Sequence, residues 1–278
     1  MNEFFIYNGQ FFLQGKPVIS AGNSGLRYGD GLFETMRLSK GRILNIDYHF
    51  ERLFNGLSLL KFESSKSKSR EFFTDKIFEL LKKNNHQKEA RIRLMVFRGE
   101  GSVFESKNNS PNFIIETWQL PHEIEWNENG LFVDIYPDAV KACDQFANLK
   151  SNNFIPYIMA GRFAKEQKLN DAFVLNSFGR VCDTSVANVF AIKEKNIFTP
   201  PLSEGCIAGT MRRWMLEKLA LDGFVVKENI LTKEDLLEAV EIFVTNAIHP
   251  VRWVKCFKEK SYGNKTVRRI FEHTIQHL

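Results

Sequence analysis

The sequence predicts an α/β chain, α+β in its local pattern, organised as two domains, and three observations carry that expectation. Period-two and helix-period apolar runs interchange along the whole chain. A polar stretch, Gln119 to Asn129, holds Pro121 and runs into Gly130, as an interdomain linker does. The 278 residues, 44% of them hydrophobic, suffice for one large core or two modest ones. The expected organisation is a domain over residues 1–118, a linker over 119–129 and a second domain over 130–278.

The elements follow in order. Phe4-Phe5-Ile6-Tyr7 and Gln10-Phe11-Phe12-Leu13 flank Asn8-Gly9, a pair that accepts the positive φ of a tight hairpin turn. Leu32 to Leu38 and Arg42 to Ile46 predict a second hairpin through Ser39-Lys40-Gly41. Asp47 is placed to cap a helix in which Phe50, Leu53, Phe54, Leu57 and Leu60 fall at helical spacing. Lys66 to Arg70 reads as a loop, and Phe72 to Leu81 as an amphipathic helix. Arg91 to Val96 alternates like a strand with one wet face, and Asn112 to Trp118 is its expected neighbour. In the second half, strands are expected at Leu131 to Tyr136, Asp171 to Asn176, Val186 to Lys193, Phe224 to Glu228, Ile242 to Thr245 and Val251 to Cys256. Helices are expected over Phe154 to Lys168, over Thr210 to Leu221, after Thr232 (with Asp235 completing a capping box), and at the end of the chain to His277.

Charge and cysteine usage narrow the class. The 38 basic and 33 acidic side chains leave +5, too mild and too dispersed for a nucleic-acid binder. No run of about 18 apolar residues offers a membrane span, and Met1-Asn2-Glu3-Phe4 lacks the basic leader of a secretory signal. Cys143, Cys182, Cys206 and Cys256 stand apart without a CxxC, the pattern of reduced thiols in the cytoplasm. The six histidines show no metal-ligand spacing, and HExxH, GxxxxGK[ST] and GxSxG are all missing. Gly29-Asp30-Gly31 lacks the third glycine of a dinucleotide loop and leads into a strand instead of a helix. A cytoplasmic enzyme without a metal is the expectation.

Three segments point further. The first is Tyr28-Gly29-Asp30-Gly31-Leu32-Phe33-Glu34-Thr35-Met36-Arg37, followed by His49-Phe50-Glu51-Arg52-Leu53. The second is Asn148-Leu149-Lys150-Ser151-Asn152-Asn153. The third runs from Val181-Cys182-Asp183-Thr184-Ser185-Val186-Ala187-Asn188-Val189-Phe190 through Phe198-Thr199-Pro200-Pro201 to Gly205-Cys206-Ile207-Ala208-Gly209-Thr210-Met211-Arg212. In this order and spacing they resemble the class IV aminotransferases, the fold type IV enzymes that use pyridoxal phosphate. The resemblance covers nearly the whole chain. It implies a two-domain fold similar to D-amino acid aminotransferase, with the cofactor in the interdomain cleft. It also implies a homodimer, a small-molecule amino substrate, and neither nucleic acid nor membrane as partner.

Such a cofactor needs a lysine to hold it as a Schiff base, an acid opposite its pyridine nitrogen, and an anion site for its phosphate. By resemblance Lys150 is that lysine, and a desolvated or cation-rich pocket would favour its reactive neutral amine. Asp183 stands where the family usually has glutamate, with the same charge and one methylene less reach. Arg52 and the helix start at Gly209, Thr210 and Met211 are the implied phosphate ligands, the latter through main-chain N–H groups and the helix dipole. Met211 occupies the family's hydroxyl position, so only its backbone can contribute. Thr245, Asn246 and Ala247 would close the phosphate pocket. Tyr28, Thr35 and Arg98 are the candidate substrate contacts. On local sequence alone these residues have plainer readings. Lys150 is then a surface lysine, Asp183 a cap for the turn after Gly179-Arg180, and Arg52 an ion-paired helix arginine. Arg98 is a strand-end arginine in solvent, and Thr35 is core at the alternate strand phase.

Within the family the motifs lean towards aminodeoxychorismate lyase-like members, which eliminate pyruvate and form p-aminobenzoate for folate synthesis. Phe33-Glu34-Thr35-x-Arg37 replaces the Phe-Glu-Gly of branched-chain aminotransferases, and Ile155 stands where those have a tyrosine. Arg98-Gly99 is followed by Glu100-Gly101-Ser102-Val103-Phe104, without the arginine and histidine of the D-amino acid branch. Asn246-Ala247-Ile248-His249-Pro250-Val251 is similar to the lyase segment. An aminotransferase of branched-chain or D-amino acid type, moving an amino group to a 2-oxo acid, is the second reading. A non-catalytic basic binding protein on the same fold, resting on Arg212-Arg213 and Arg268-Arg269, is the remote one; solvated helix faces account for those pairs.

Overall fold

A computed structural model of the chain describes residues 3–63, 68–102, 110–219 and 223–278. The expected loop at Lys66, the turn residues Val103 and Phe104, and the helix end at Leu221 fall outside them. The chain divides into two compact units. The first comprises Met1–Glu123 and, in addition, Lys150–Asn153; the second comprises Ile124–Leu149 and Phe154–Leu278.

The first unit is a six-stranded antiparallel sheet with helices packed on it. Its strands are β1 (Phe4–Tyr7), β2 (Gln10–Leu13), β3 (Gly31–Ser39), β4 (Arg42–Ile43), β5 (Ala90–Phe97) and β6 (Asn112–Gln119), in the order β2-β1-β6-β5-β3-β4. The β1–β2 hairpin turns at Asn8 and Gly9, both at positive φ. The helices are α1 (Ser24–Tyr28), α2 (Ile46–Leu59) and α3 (Arg70–Lys83). Phe50, Leu53 and Leu57 of α2 and Phe73, Ile77, Leu80 and Leu81 of α3 are buried, one apolar stripe from each helix. Asp47 does not cap α2. The helix starts two residues earlier, at Ile46, after Asn45 in a left-handed conformation, and Asp47 sits in its first turn paired with Arg70.

The second unit contains β7 (Leu131–Lys141), α4 (Ile155–Glu166), β8 (Asp171–Asn176), β9 (Val181–Thr184), β10 (Asn188–Lys193) and β11 (Asn196–Thr199). It continues with α5 (Thr210–Lys218), β12 (Val225–Glu228), α6 (Lys233–Glu238), β13 (Glu241–Thr245), β14 (Arg252–Phe257), β15 (Lys260–Ser261) and α7 (Lys265–His277). The sheet order is β12-β11-β10-β13-β14-β7-β8-β9, with β15 on β14. A further pairing, Asn188 with Asp183, joins β9 to β10 and closes six of these strands on themselves. The Thr232–Asp235 capping box opens α6 as its sequence predicts. The strand expected from Val186 starts at Asn188, after a turn in which Thr184 accepts hydrogen bonds from the backbone of Val186 and Ala187.

The segment 150–153 is pinned to β3. Phe33 N–H donates to the Lys150 carbonyl (2.9 Å) and Asn152 N–H donates to the Gly31 carbonyl (2.9 Å). This close approach explains the glycines. A Cβ on Gly31 would lie 2.6 Å from Asn152 Nδ2 and 2.6 Å from the Val96 carbonyl oxygen, and one on Gly29 would lie 2.5 Å from Asn153 Oδ1. Gly29-Asp30-Gly31 is thus a seat for a crossing strand.

Gly31→Ala is predicted to lower the urea midpoint, by about 1–3 kcal/mol of stability. Gly161→Ala, in α4 with ordinary contact distances of 3.6 Å and beyond, should be neutral or stabilising. Equal midpoints for Gly31→Ala and wild type would refute the seat.

Candidate cofactor site

The first unit gathers three charged or titratable side chains, Glu34, His49 and Arg52, beside the lysine segment. Glu34 points from β3 towards α2, where His49 and Arg52 lie one turn apart on one face. Its carboxylate, almost fully buried, accepts hydrogen bonds from Arg52 Nε (2.8 Å) and Nη2 and from His49 Nδ1 (2.6 Å). Burial alone would raise the Glu34 carboxyl, but the Arg52 charge and the His49 contact outweigh it and hold it at about 2. Glu34 is therefore an anion and only an acceptor, so His49 Nδ1 must carry the proton. Burial pushes His49 below its ordinary value, so the ring is neutral near pH 7.

Lys150 stands beside this group. Its Nζ lies 4.6 Å from the centre of the Phe33 ring, and its charge is felt at His49. Phe33 and Thr35 share a strand face, so partly exposed Thr35 lies on the side that receives the lysine. Tyr28, the last residue of α1, is exposed. Arg98 is not a solvent arginine: it donates to Asp30 Oδ2 (2.7 Å) and the Leu60 carbonyl (2.7 Å) and stacks over Phe62 at 4.2 Å.

In the second unit one side chain, Asn188, links Asp183 to the segment before α5. Asp183 is 2% exposed; Tyr157 Oη (2.6 Å) and Ile207 N–H (2.9 Å) donate to its Oδ2, and Asn188 Nδ2 (2.8 Å) to its Oδ1. It is no solvent-exposed turn cap. Burial raises its carboxyl above the ordinary value, opposed by Lys141, Tyr157, Ile207 and Asn188. Asn188 also donates to the Ile207 carbonyl (2.8 Å), and a Cβ on Gly209 would fall 1.8 Å from its Oδ1. One amide thus fixes both the acid and the glycine that caps α5. The Met211 side chain is buried. Across the β10–β13 ladder Asn188 faces Thr245, whose buried Oγ1 has no hydrogen-bond partner among the described residues. Asn246 closes the next turn: its Oδ1 accepts from Ile248 and His249 N–H, with Ala247 between.

Sequence reasoning did not single out Glu34, which pairs with Arg52, or Tyr157, Asn188 and Lys141, which surround Asp183. Glu34 carried a signal, an acid with Leu32, Phe33 and Met36 close by in a predicted strand, which must find cationic partners if buried. Arg212, counted among solvated arginines, is buried, donating to the Pro200 carbonyl and Glu228. Arg213 pairs with Glu217, and Arg268 with Glu272.

Glu34→Gln should cost about 3–5 kcal/mol, because it leaves a buried guanidinium uncompensated. Since the Glu34 carboxyl is depressed, its contribution is complete above its ordinary value of 4.5 and is lost as the pH falls towards 2. The wild-type advantage over Glu34→Gln, measured by urea unfolding, is predicted to shrink across that window. A difference independent of pH would contradict the pairing.

The family model described as amino-transferase class IV matches residues 31–256. The aminodeoxychorismate lyase of Vibrio harveyi is 28% identical over 243 residues, 86% of this chain and 88% of that protein. The D-alanine aminotransferase of Bacillus licheniformis is 24% identical over 263 residues, 93% of this chain and 90% of that protein. The structure of the branched-chain amino acid aminotransferase of Escherichia coli superposes with a TM-score of 0.87 at 20% identity, over 99% of this chain and 94% of that one. The family model spans well over half of the chain, so the chain belongs to the class IV aminotransferases, enzymes that use pyridoxal phosphate.

Proposed function

We propose that the protein is an aminodeoxychorismate lyase, releasing pyruvate and p-aminobenzoate. The observation that carries this choice is the state of Arg98. Its guanidinium is committed to Asp30 and to the Leu60 carbonyl, which leaves it poorly placed to trap the carboxylate of a free amino acid. The lyase relative and the Asn246–Val251 segment support the same branch, as does Ile155, 71% exposed at the start of α4, where a tyrosine would mark a branched-chain enzyme. The relation to a D-alanine aminotransferase supports the second reading, amino transfer to a 2-oxo acid.

The residues present fit pyridoxal phosphate. The unsatisfied Thr245 Oγ1 and the glycine-capped start of α5 are features an anion would complete, and Asp183 is a buried acid for a pyridine nitrogen. When bound, the cofactor supplies an electron sink that lets the substrate lose the proton beside its amine. In this proposal Lys150 would hold the cofactor through its amine and would serve as the base for that proton. Asp183 keeps a proton on the ring nitrogen. Arg52, its guanidinium oriented by Glu34, holds the phosphate together with the backbone of Gly209, Thr210 and Met211 and the turn at Asn246 and Ala247. Thr35 and Tyr28 flank the substrate.

The family's homodimer is proposed as well. Ile155, Ile158 and Met159 form an exposed apolar row on α4, which a partner chain would cover. A cytoplasmic setting accords with the unpaired thiols Cys143, Cys182, Cys206 and Cys256. No helix among the described residues is long and apolar enough to cross a membrane.

Purified protein supplied with pyridoxal phosphate and aminodeoxychorismate, without any keto acid, should release pyruvate and p-aminobenzoate over many turnovers. Lys150→Ala should lose at least about 100-fold in rate while keeping its circular dichroism. Arg52→Ala should retain the cofactor less well on dialysis. Amino transfer from amino acids to 2-oxo acids without that release would establish the aminotransferase instead; a protein that takes up no cofactor would revive the non-catalytic reading.

A further inference from the structure

Lys141 has no part in the resemblance and no role so far, yet its ammonium is set against Asp183. It ends β7 with a side chain only 11% exposed. Its Nζ is buried, 3.5 Å from Asp183 Oδ2 and 5.1 Å from the centre of the Tyr157 ring, and makes no hydrogen bond among the described residues. An ammonium is strongly hydrated in water, so burying it without hydrogen bonds is costly unless an opposite charge stands beside it. The Asp183 carboxylate is that charge.

The other groups around Asp183 do not substitute for it. Tyr157 from α4, Asn188 from β10 and the Ile207 N–H donate hydrogen bonds but bring no full charge. Tyr157, Cys182 and Cys206 are the further titratable groups facing this centre; burial raises all three, so they stay neutral near pH 7. Arg212 lies beyond Cys206, its charge committed to Glu228. Burial favours the protonated form of Asp183, and Lys141 leads the groups that oppose this. A protonated acid would donate a hydrogen bond to the ring nitrogen instead of accepting one.

We propose that Lys141 is a positioning residue that holds Asp183 in its anionic form, so that an acid one methylene shorter than the family's glutamate still accepts the N–H of the ring nitrogen. The proposal rests on the pyridoxal phosphate reading above. It assigns Lys141 no contact with the cofactor.

The test begins without cofactor. Aspartate labelled with carbon-13 at the carboxyl, with the Asp183 resonance assigned by its loss in Asp183→Asn, is titrated by NMR. In Lys141→Met the Asp183 midpoint is expected to rise by about one pH unit or more, and in Lys141→Arg to return to the wild-type value. Lys141→Gln serves if Lys141→Met does not fold. An unchanged midpoint in either neutral variant overturns the proposal. With pyridoxal phosphate added, the visible absorbance of the neutral variant should change its pH dependence in the same direction, and that of Lys141→Arg should not. The two possible failures are distinct. Cofactor uptake by the wild type with an unshifted midpoint removes the role of Lys141 alone, whereas no uptake removes the cofactor reading and this proposal with it.

Discussion

Two backbone hydrogen bonds, from Phe33 to the Lys150 carbonyl and from Asn152 to the Gly31 carbonyl, fix where the lysine stands. They place a four-residue segment from the middle of the chain on the strand that also carries Glu34 and Thr35. Nothing larger than glycine fits beneath it at positions 29 and 31. The lysine's address is therefore set by main-chain geometry and by the absence of two side chains.

The two buried carboxylates show how surroundings decide charge. Glu34 meets a guanidinium and a histidine at hydrogen-bond distance and is held far below its ordinary range. Asp183 is equally buried, but its hydrogen-bond partners are a phenol, an amide and one backbone N–H, with the Lys141 ammonium 3.5 Å away, and burial pushes its carboxyl up. The first arrangement suits a rigid strut for Arg52. The second suits an acid whose proton affinity answers to what is placed beside it, as a partner for a ring nitrogen must.

The fold was legible where a local rule had no competitor. Asn8-Gly9 turned because few other pairs accept positive φ at both positions, and Thr232 with Asp235 closed its capping box within four residues. The limits of legibility are equally physical. The strands Val181–Thr184 and Asn196–Thr199 have only four residues each, too few for a period to show, and the first is buried on both faces. Asp47 looked like a cap, but a left-handed Asn45 started the helix before it, and that conformation is not written in residue type. In the candidate site, Lys150, Arg52 and Asp183 stand out in the sequence only through flanking segments that resemble a known family. Glu34, Tyr157, Asn188 and Lys141 act through partners 18, 26, 5 and 42 positions away, and such pairings appear only once the chain is folded.

The central claim is that Lys150 is the residue that holds pyridoxal phosphate. Protein loaded with the cofactor, reduced with borohydride and digested, can be mapped by mass spectrometry for the pyridoxyl group. The account predicts the modification on the peptide containing Lys150, in stoichiometric yield, and its loss in Lys150→Ala. Stoichiometric modification at another lysine, with Lys150 untouched, would contradict it.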